Sequence, residues 1–314
     1  MRKMTIVALL AFTVTSSFGQ LGKLKKKILG EDNPVGNLLK KTPPITTGID
    51  DVNMEGALIQ TFGNDSVYSP MTNLQRTSSG GFQLQKGFYE FHNQSYCLKA
   101  GTHGPGGGDG YMFAQPLGPM DEIVIAIVRN SVQHPQIPQR EIQQLLWAII
   151  ARAKVEDLQN NIKLVAANLL TASQIYKLNG GALGLIPDDV MQRQMQSMPD
   201  GIRQVFEAEA KLRQMLTSPG TSFEQMERVA VLAGVAGIGP GSKTVPMGRW
   251  SLHPDGYYVR YLPRGYSYTV VQVWVPQGSK AVGKEYDPSL HIAVPGNTAR
   301  QRLIQSGRPQ PNQR

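Results

Sequence analysis

The sequence predicts an α+β fold, and three observations carry that reading. Aromatic residues alternate with polar ones between Asn53 and Tyr111, apolar residues recur at helical spacing between Pro119 and Gly239, and Tyr- and Val-rich runs return after Pro246. With 314 residues, 40% hydrophobic and 18% charged, the chain is too apolar to be disordered throughout and too lightly charged for a long coiled coil. One globular body of strands, helices and strands is expected.

At the start, Arg2 and Lys3 precede an apolar run from Ile6 to Val14, and Ser17-Phe18-Gly19 forms a small-x-small cleavage site. Residues 1–19 therefore read as a signal peptide, with the mature chain beginning at Gln20 and exported to a periplasmic, cell-surface or extracellular location. No later apolar run approaches the roughly 20 residues a membrane span requires. Residues 20–51 carry Lys23, Lys25, Lys26, Lys27, Lys40 and Lys41 with no sustained period, the pattern of a basic flexible leader. The body is expected over residues 52–305.

Within it, strands are predicted across residues 52–117. Phe88 to Tyr96 forms an aromatic strand leading straight into Cys97, and the stretch Gly101 to Gly110 is so rich in glycine that it must be a shaped loop. Helices are predicted across residues 119–239: Glu122 to Val132, Pro138 to Leu158, Asn161 to Leu178, Pro187 to Met198, Gly201 to Leu216 and Phe223 to Leu232. In the second of these, Ile142, Leu145, Leu146, Ile149, Ile150 and Ala153 mark one apolar face. Strands are predicted again across residues 246–295, with Tyr257 to Leu262 and Tyr266 to Val275 forming a hairpin about Pro263-Arg264-Gly265. Residues 306–314 end in Gly, Pro, Gln, Asn and Arg and read as a disordered tail.

The 32 Lys and Arg against 23 acidic residues give a net charge of +9, which favours anionic partners such as envelope polymers. Export removes the chain from nucleic acid and nucleotide cofactors, and no cofactor is expected. Gly237-Ile238-Gly239-Pro240-Gly241-Ser242-Lys243-Thr244 falls one residue short of a P-loop, with Ser242 at the second glycine position, and reads as an ordinary loop. His92, His103, His134, His253 and His291 lack the paired spacing of metal ligands, so no metal site is expected.

A single cysteine, Cys97, excludes an internal disulfide framework. A cysteine hydrolase would need Cys97 as nucleophile, one of the later histidines as base and Gln94 as oxyanion donor, but such a cysteine normally opens a helix and the glycine run after Cys97 forbids one. A non-covalent envelope- or carbohydrate-binding protein, with Cys97 merely buried, is the other alternative.

Tyr96-Cys97, the Pro-Gly-rich loop ending in Tyr111, and the helical run Ile142-Gln143-Gln144-Leu145-Leu146-Trp147 together suggest a third chemistry. The pattern resembles the internal thioester domains of bacterial surface adhesins, in which a Tyr-Cys sequence is cross-linked to the Gln of a Thr-Gln-x-x-Ile-Trp helix. The resemblance covers about residues 88–154 and departs from the family at Ile142, where threonine is usual. It implies Cys97 and Gln143 as a thioester pair, Tyr96, Tyr111, Leu146 and Trp147 as supporting residues, and covalent attachment to a ligand bearing a nucleophilic amine. Independently of the family, Gln143 and Trp147 lie one helical turn apart, which puts the carboxamide at the half-dry rim of the apolar face beside an indole. Gln144, turned about 100° away, is the internal control.

Overall fold

A computed structural model describes residues 43–180 and 200–311, and these form one compact unit. The expected signal peptide, the Lys23 to Lys41 stretch and the helix expected at Pro187 to Met198 lie outside the described residues.

The strands are β1 (Ser69–Pro70), β2 (Phe82–Gln83), β3 (Gly87–Cys97), β4 (Thr102–His103), β5 (Tyr111–Ala114), β6 (Val231–Leu232), β7 (Ser251–Leu252), β8 (Tyr258–Pro263), β9 (Tyr268–Val275), β10 (Glu285–Tyr286), β11 (Ile292–Pro295) and β12 (Leu303–Pro309). The helices are α1 (Asp121–Asn130), α2 (Gln139–Ile150), α3 (Asn160–Leu169), α4 (Ala172–Asn179), α5 (Asp200–Thr217) and α6 (Phe223–Ala230). The fold is α+β, as expected.

Seven strands of one sheet run in the order β5-β11-β12-β3-β9-β8-β7, and β1 pairs in parallel with the start of β3. The expected hairpin is present: β8 and β9 pair from Tyr258 opposite Trp274 to Pro263 opposite Thr269. β3, the longest strand, lies at the sheet's centre, with β9 along Gly87 to Gln94 on one side and β12 from Asn93 to Cys97 on the other. The helical block packs on the sheet through α2, which touches β3 and is surrounded by α1, α3, α5 and α6.

Helix α2 is shorter than the predicted Pro138 to Leu158. It stops because Arg152 adopts a left-handed φ of 57°, with Ala153 N–H bonding Ala148 O at 2.9 Å in a reversing cap. The predicted Asn161 to Leu178 helix is two helices. Leu170 is extended, and Thr171 opens α4 with a capping box to Gln174.

Both ends of the body extend further than the sequence suggested. The residues from Ser306 read as disordered, yet Leu303–Pro309 is β12, a buried strand between β11 and β3. Its Gly and Pro are tolerated because a register irregularity separates Gln305 from Pro309. The leader, expected to run to residue 51, gives way to the packed body by Pro44. Ile45, Thr47 and Ile49 are buried, and Arg302 binds the carbonyls of Ile45 and Thr47.

Candidate functional site

Cys97 ends β3 at a place where the sheet runs out on one side. Cys97 faces Leu303 of β12, and Leu98 N–H bonds Arg302 O at 3.0 Å, so this pair is one of the non-hydrogen-bonded pairs of an antiparallel ladder. The backbone N–H and C=O of Cys97 therefore point toward the β9 side. There β9 has already ended: its last pairing is Tyr268 with Gln94, followed by Ser95 N–H to Ser267 O at 3.2 Å.

Helix α2 fills the vacant place. Gln143 Oε1 accepts the N–H of Cys97 at 2.9 Å, and Gln143 Nε2 donates to the carbonyl of Cys97 at 3.1 Å. One turn earlier, Gln139 Nε2 donates to Ser95 O at 3.2 Å and Ser267 O at 2.6 Å. Four helical residues rise about 6 Å and two strand residues about 6.6 Å, so the two glutamines meet alternate residues of the strand edge in step. A side-chain carboxamide has the same donor and acceptor as a peptide, and Gln143 continues the ladder where β9 stops.

Trp147, one turn beyond Gln143, donates its indole N–H to Cys97 Sγ at 3.0 Å. Its ring stacks on Phe223 of α6, with centroids 5.4 Å apart and planes 20° from parallel. The sulfur, Gln143, Leu146 and Trp147 are all buried, Gln143 at 2% exposure. The carboxamide is thus not at the half-dry rim the periodicity suggested. Four other helices and β3 crowd α2, and every residue from Ile142 to Ile150 is buried whatever its face. Gln144 faces away, its Nε2 toward Met226 Sδ at 3.7 Å.

Burial pushes the Cys97 thiol up to about 12; the Trp147 N–H works in the opposite sense, and the charge of Glu227 reinforces the rise. Glu227 and Tyr266 are half-buried neighbours, the Tyr266 hydroxyl donating to the Glu227 carboxylate. Burial, followed by that hydrogen bond and the field of Cys97, raises the Tyr266 hydroxyl.

Two expected supporting residues stand apart. Side chains alternate along a strand, so Tyr96 lies on the opposite face of β3 from Cys97; its hydroxyl donates to Gln94 Oε1 at 3.1 Å. Tyr111 lies on β5, with β11 and β12 intervening, roughly 14 Å of sheet from Cys97 at the usual strand spacing. Gln94 shares Tyr96's face, so the oxyanion donor of a hydrolase is not beside the thiol. None of the five histidines bonds Cys97. His92 meets Glu90 and Tyr268, His134 meets Gln136, and His103 lies on β4. His253 and His291 stack at 5.3 Å in an aromatic cluster with Phe113 and Tyr257, where burial lowers His253 to about 4 and His291 well below its ordinary value.

Sequence reasoning missed Gln139, whose role depends on where β9 ends, and Phe223, Glu227 and Tyr266, which only the tertiary fold brings near. The near-P-loop segment is a loop tied to the turn before β12, with Gly239 N–H and Ser242 Oγ both directed at Asn297 Oδ1. Among the described residues no helix is long and apolar enough to cross a membrane. Comparisons with family models, curated proteins and solved structures give no match.

Proposed function

We propose that this chain is an exported surface or envelope protein in which Cys97 and Gln143 form an internal thioester for covalent attachment to amine-bearing ligands. The supporting observation is a pair of N–H donors aimed at the two atoms that carry negative charge when a thiolate attacks a carboxamide. Trp147 Nε1–H bonds the sulfur, and the backbone N–H of Cys97 bonds Gln143 Oε1, where the oxyanion develops. In that step the bond from Sγ to the Gln143 carbonyl carbon forms, the carbon–nitrogen bond breaks, and the amide nitrogen leaves as ammonia with the thiol proton. A ligand's amine then attacks the same carbon, forms an amide and returns a proton to the departing Cys97 sulfur. Burial of the pair excludes water, which would otherwise hydrolyse the stored acyl group.

A second reading is favoured by the bond from Gln143 Nε2 to Cys97 O, which the thioester would lose. In it, the carboxamide is a permanent clamp on the strand end, and the protein binds envelope polymers without covalent chemistry. A cysteine hydrolase is left without a base, since none of the five histidines bonds Cys97.

The ammonia deficit that methylamine reverses separates these readings, because cyclisation of an N-terminal Gln20 also loses one ammonia but does not respond to methylamine. A standing thioester leaves the mature protein one ammonia lighter than its sequence, and methylamine restores that mass plus the difference of a methyl substituent while freeing one thiol. Cys97→Ala and Gln143→Ala should each abolish the deficit; Gln144→Ala should retain it. A full sequence mass with one titratable thiol after unfolding rejects the thioester and leaves the clamp.

A further inference from the structure

From the geometry of the pocket beyond the end of β3, we infer a second site, one that binds a tetrahedral oxyanion of the phosphate type. Two residues after Cys97 the chain reaches Lys99, and across the ladder β12 is preceded by Arg300 and Arg302. These three cations share the lining of a pocket of about 50 Å³ with Thr47 and Thr298 and with an apolar wall of Ile49, Val294 and Pro295. That is room for roughly four water-sized spheres, enough to admit a phosphate group.

The charges around this pocket do not balance. Arg300 has a carboxylate partner, Asp109, at 2.8 Å. Lys99 and Arg302 have none within ion-pairing distance among the described residues. Lys99 Nζ makes one hydrogen bond, to Thr298 O at 2.8 Å, leaving donor capacity for another acceptor. Arg302 is committed to the carbonyls of Leu98, Thr47 and Ile45, which hold it in place without neutralising it. The acid whose field reaches both, Glu209, is spent on Arg152 at 2.5 Å, and its own burial disfavours ionisation.

Two cations lie half-buried side by side with no ion-paired anion: the exposed Asp51, whose charge also reaches Arg302, accepts the Gly48 N–H, and the mutual repulsion remains. Burial, then the charge of Arg302, lowers Lys99 to about 8. A bound oxyanion would accept the remaining Lys99 protons and offset both charges, converting a repulsive pair into a charge-assisted clamp. Two positive charges lining one pocket favour a multiply charged group over a single carboxylate. The site is independent of the Cys97 chemistry and persists if no thioester forms.

The test uses the intact mature protein and inorganic phosphate, with chloride at matched ionic strength as control and glycerol 1-phosphate as a carried form of the same group. Phosphate should raise the thermal midpoint saturably and bind with a millimolar or tighter Kd by calorimetry, and Lys99→Met should weaken binding at least tenfold. Equal or tighter binding of glycerol 1-phosphate assigns the site to a phosphate borne on a larger ligand; binding of inorganic phosphate alone assigns it to the free ion. If Lys99→Met does not fold, Lys99→Gln replaces it with the same expected loss, and NMR of the methylated wild-type amine supplies a direct reading, since bound phosphate must raise the Lys99 pKa. Stabilisation by phosphate no greater than by chloride, or an unmoved Lys99 titration, overturns the site.

Discussion

The carboxamide of Gln143 is hydrogen-bonded to both backbone polar groups of Cys97, at 2.9 and 3.1 Å, and so takes the place of a strand that the sheet does not have. This relationship joins the helical block to the centre of the sheet through buried polar groups, where an unmet partner is expensive. It also holds the carboxamide on the residue that bears the lone thiol. The same contact therefore serves the fold and, in the proposed chemistry, places the electrophile.

Removal of that carboxamide should be costly. Gln143→Ala strands the N–H and C=O of Cys97 in the core and leaves a cavity, with an expected loss of about 3–5 kcal/mol of stability. Gln144→Ala breaks only a weak contact to Met226 Sδ and should lose less, about 1–2 kcal/mol. Denaturant unfolding of the two variants checks the order, and equal losses would contradict the clamp.

Trp147→Phe isolates the indole N–H, because a phenyl ring can still stack on Phe223 while the donor to Cys97 Sγ disappears. Stability should fall by about 1–3 kcal/mol, mostly from lost volume. In the proposed chemistry the thiolate loses its one side-chain donor, so a smaller fraction of the purified variant should carry the ammonia deficit. Intact mass of the variant against the wild type reads this, and an unchanged fraction would remove Trp147 from the mechanism.

Much of this site was legible because it rests on short periods. The two-residue alternation of Phe88 to Cys97 marks a strand, and the spacing of Ile142, Leu146 and Ile150 marks a helix with Gln143 and Trp147 one turn apart. β12 was hidden because its polar residues are satisfied from far along the chain. Asn93 donates to Gln305 at 3.2 Å, and Arg308 donates to Ile137 O at 2.9 Å, so residues that read as solvated are buried. Pro44 to Ile49 was misread for the same reason, since its anchor is Arg302, more than 250 residues away in sequence. The roles assigned to Tyr96 and Tyr111 came from motif order, which fixes neither the face of a strand nor the order of strands in a sheet.

The burial of β12 makes a prediction about dynamics. A disordered tail exchanges its amide hydrogens within seconds, whereas a strand hydrogen-bonded between two neighbours exchanges only when the sheet opens. The amides of Leu303 to Gln305 and, within the residues read as a tail, that of Gln310, bonded to His92 O at 2.9 Å, should be protected to nearly the same degree as those of β3, by hydrogen-exchange mass spectrometry. Fast exchange there would show β12 detached from the sheet.

The thiol itself gives a pH test that depends on whether it is free. Cys97 is held at about 12 in the folded protein against an ordinary 9.0, so between these values the unfolded chain releases a proton that the folded one retains. Stability then falls as pH rises through that window, by up to about 1.4 kcal/mol per pH unit, and is unaffected below it. Buried tyrosines titrate at the upper end, so the informative quantity is the difference from Cys97→Ala, which keeps them all. For methylamine-opened protein this difference should shift by about 1 kcal/mol toward destabilisation between pH 8.5 and 10. Untreated protein carrying the thioester has no thiol proton to lose and should run parallel to Cys97→Ala over the same range. Urea unfolding of the three samples at several pH values reads both outcomes, and an untreated protein that follows the opened one would show that its thiol was free from the start.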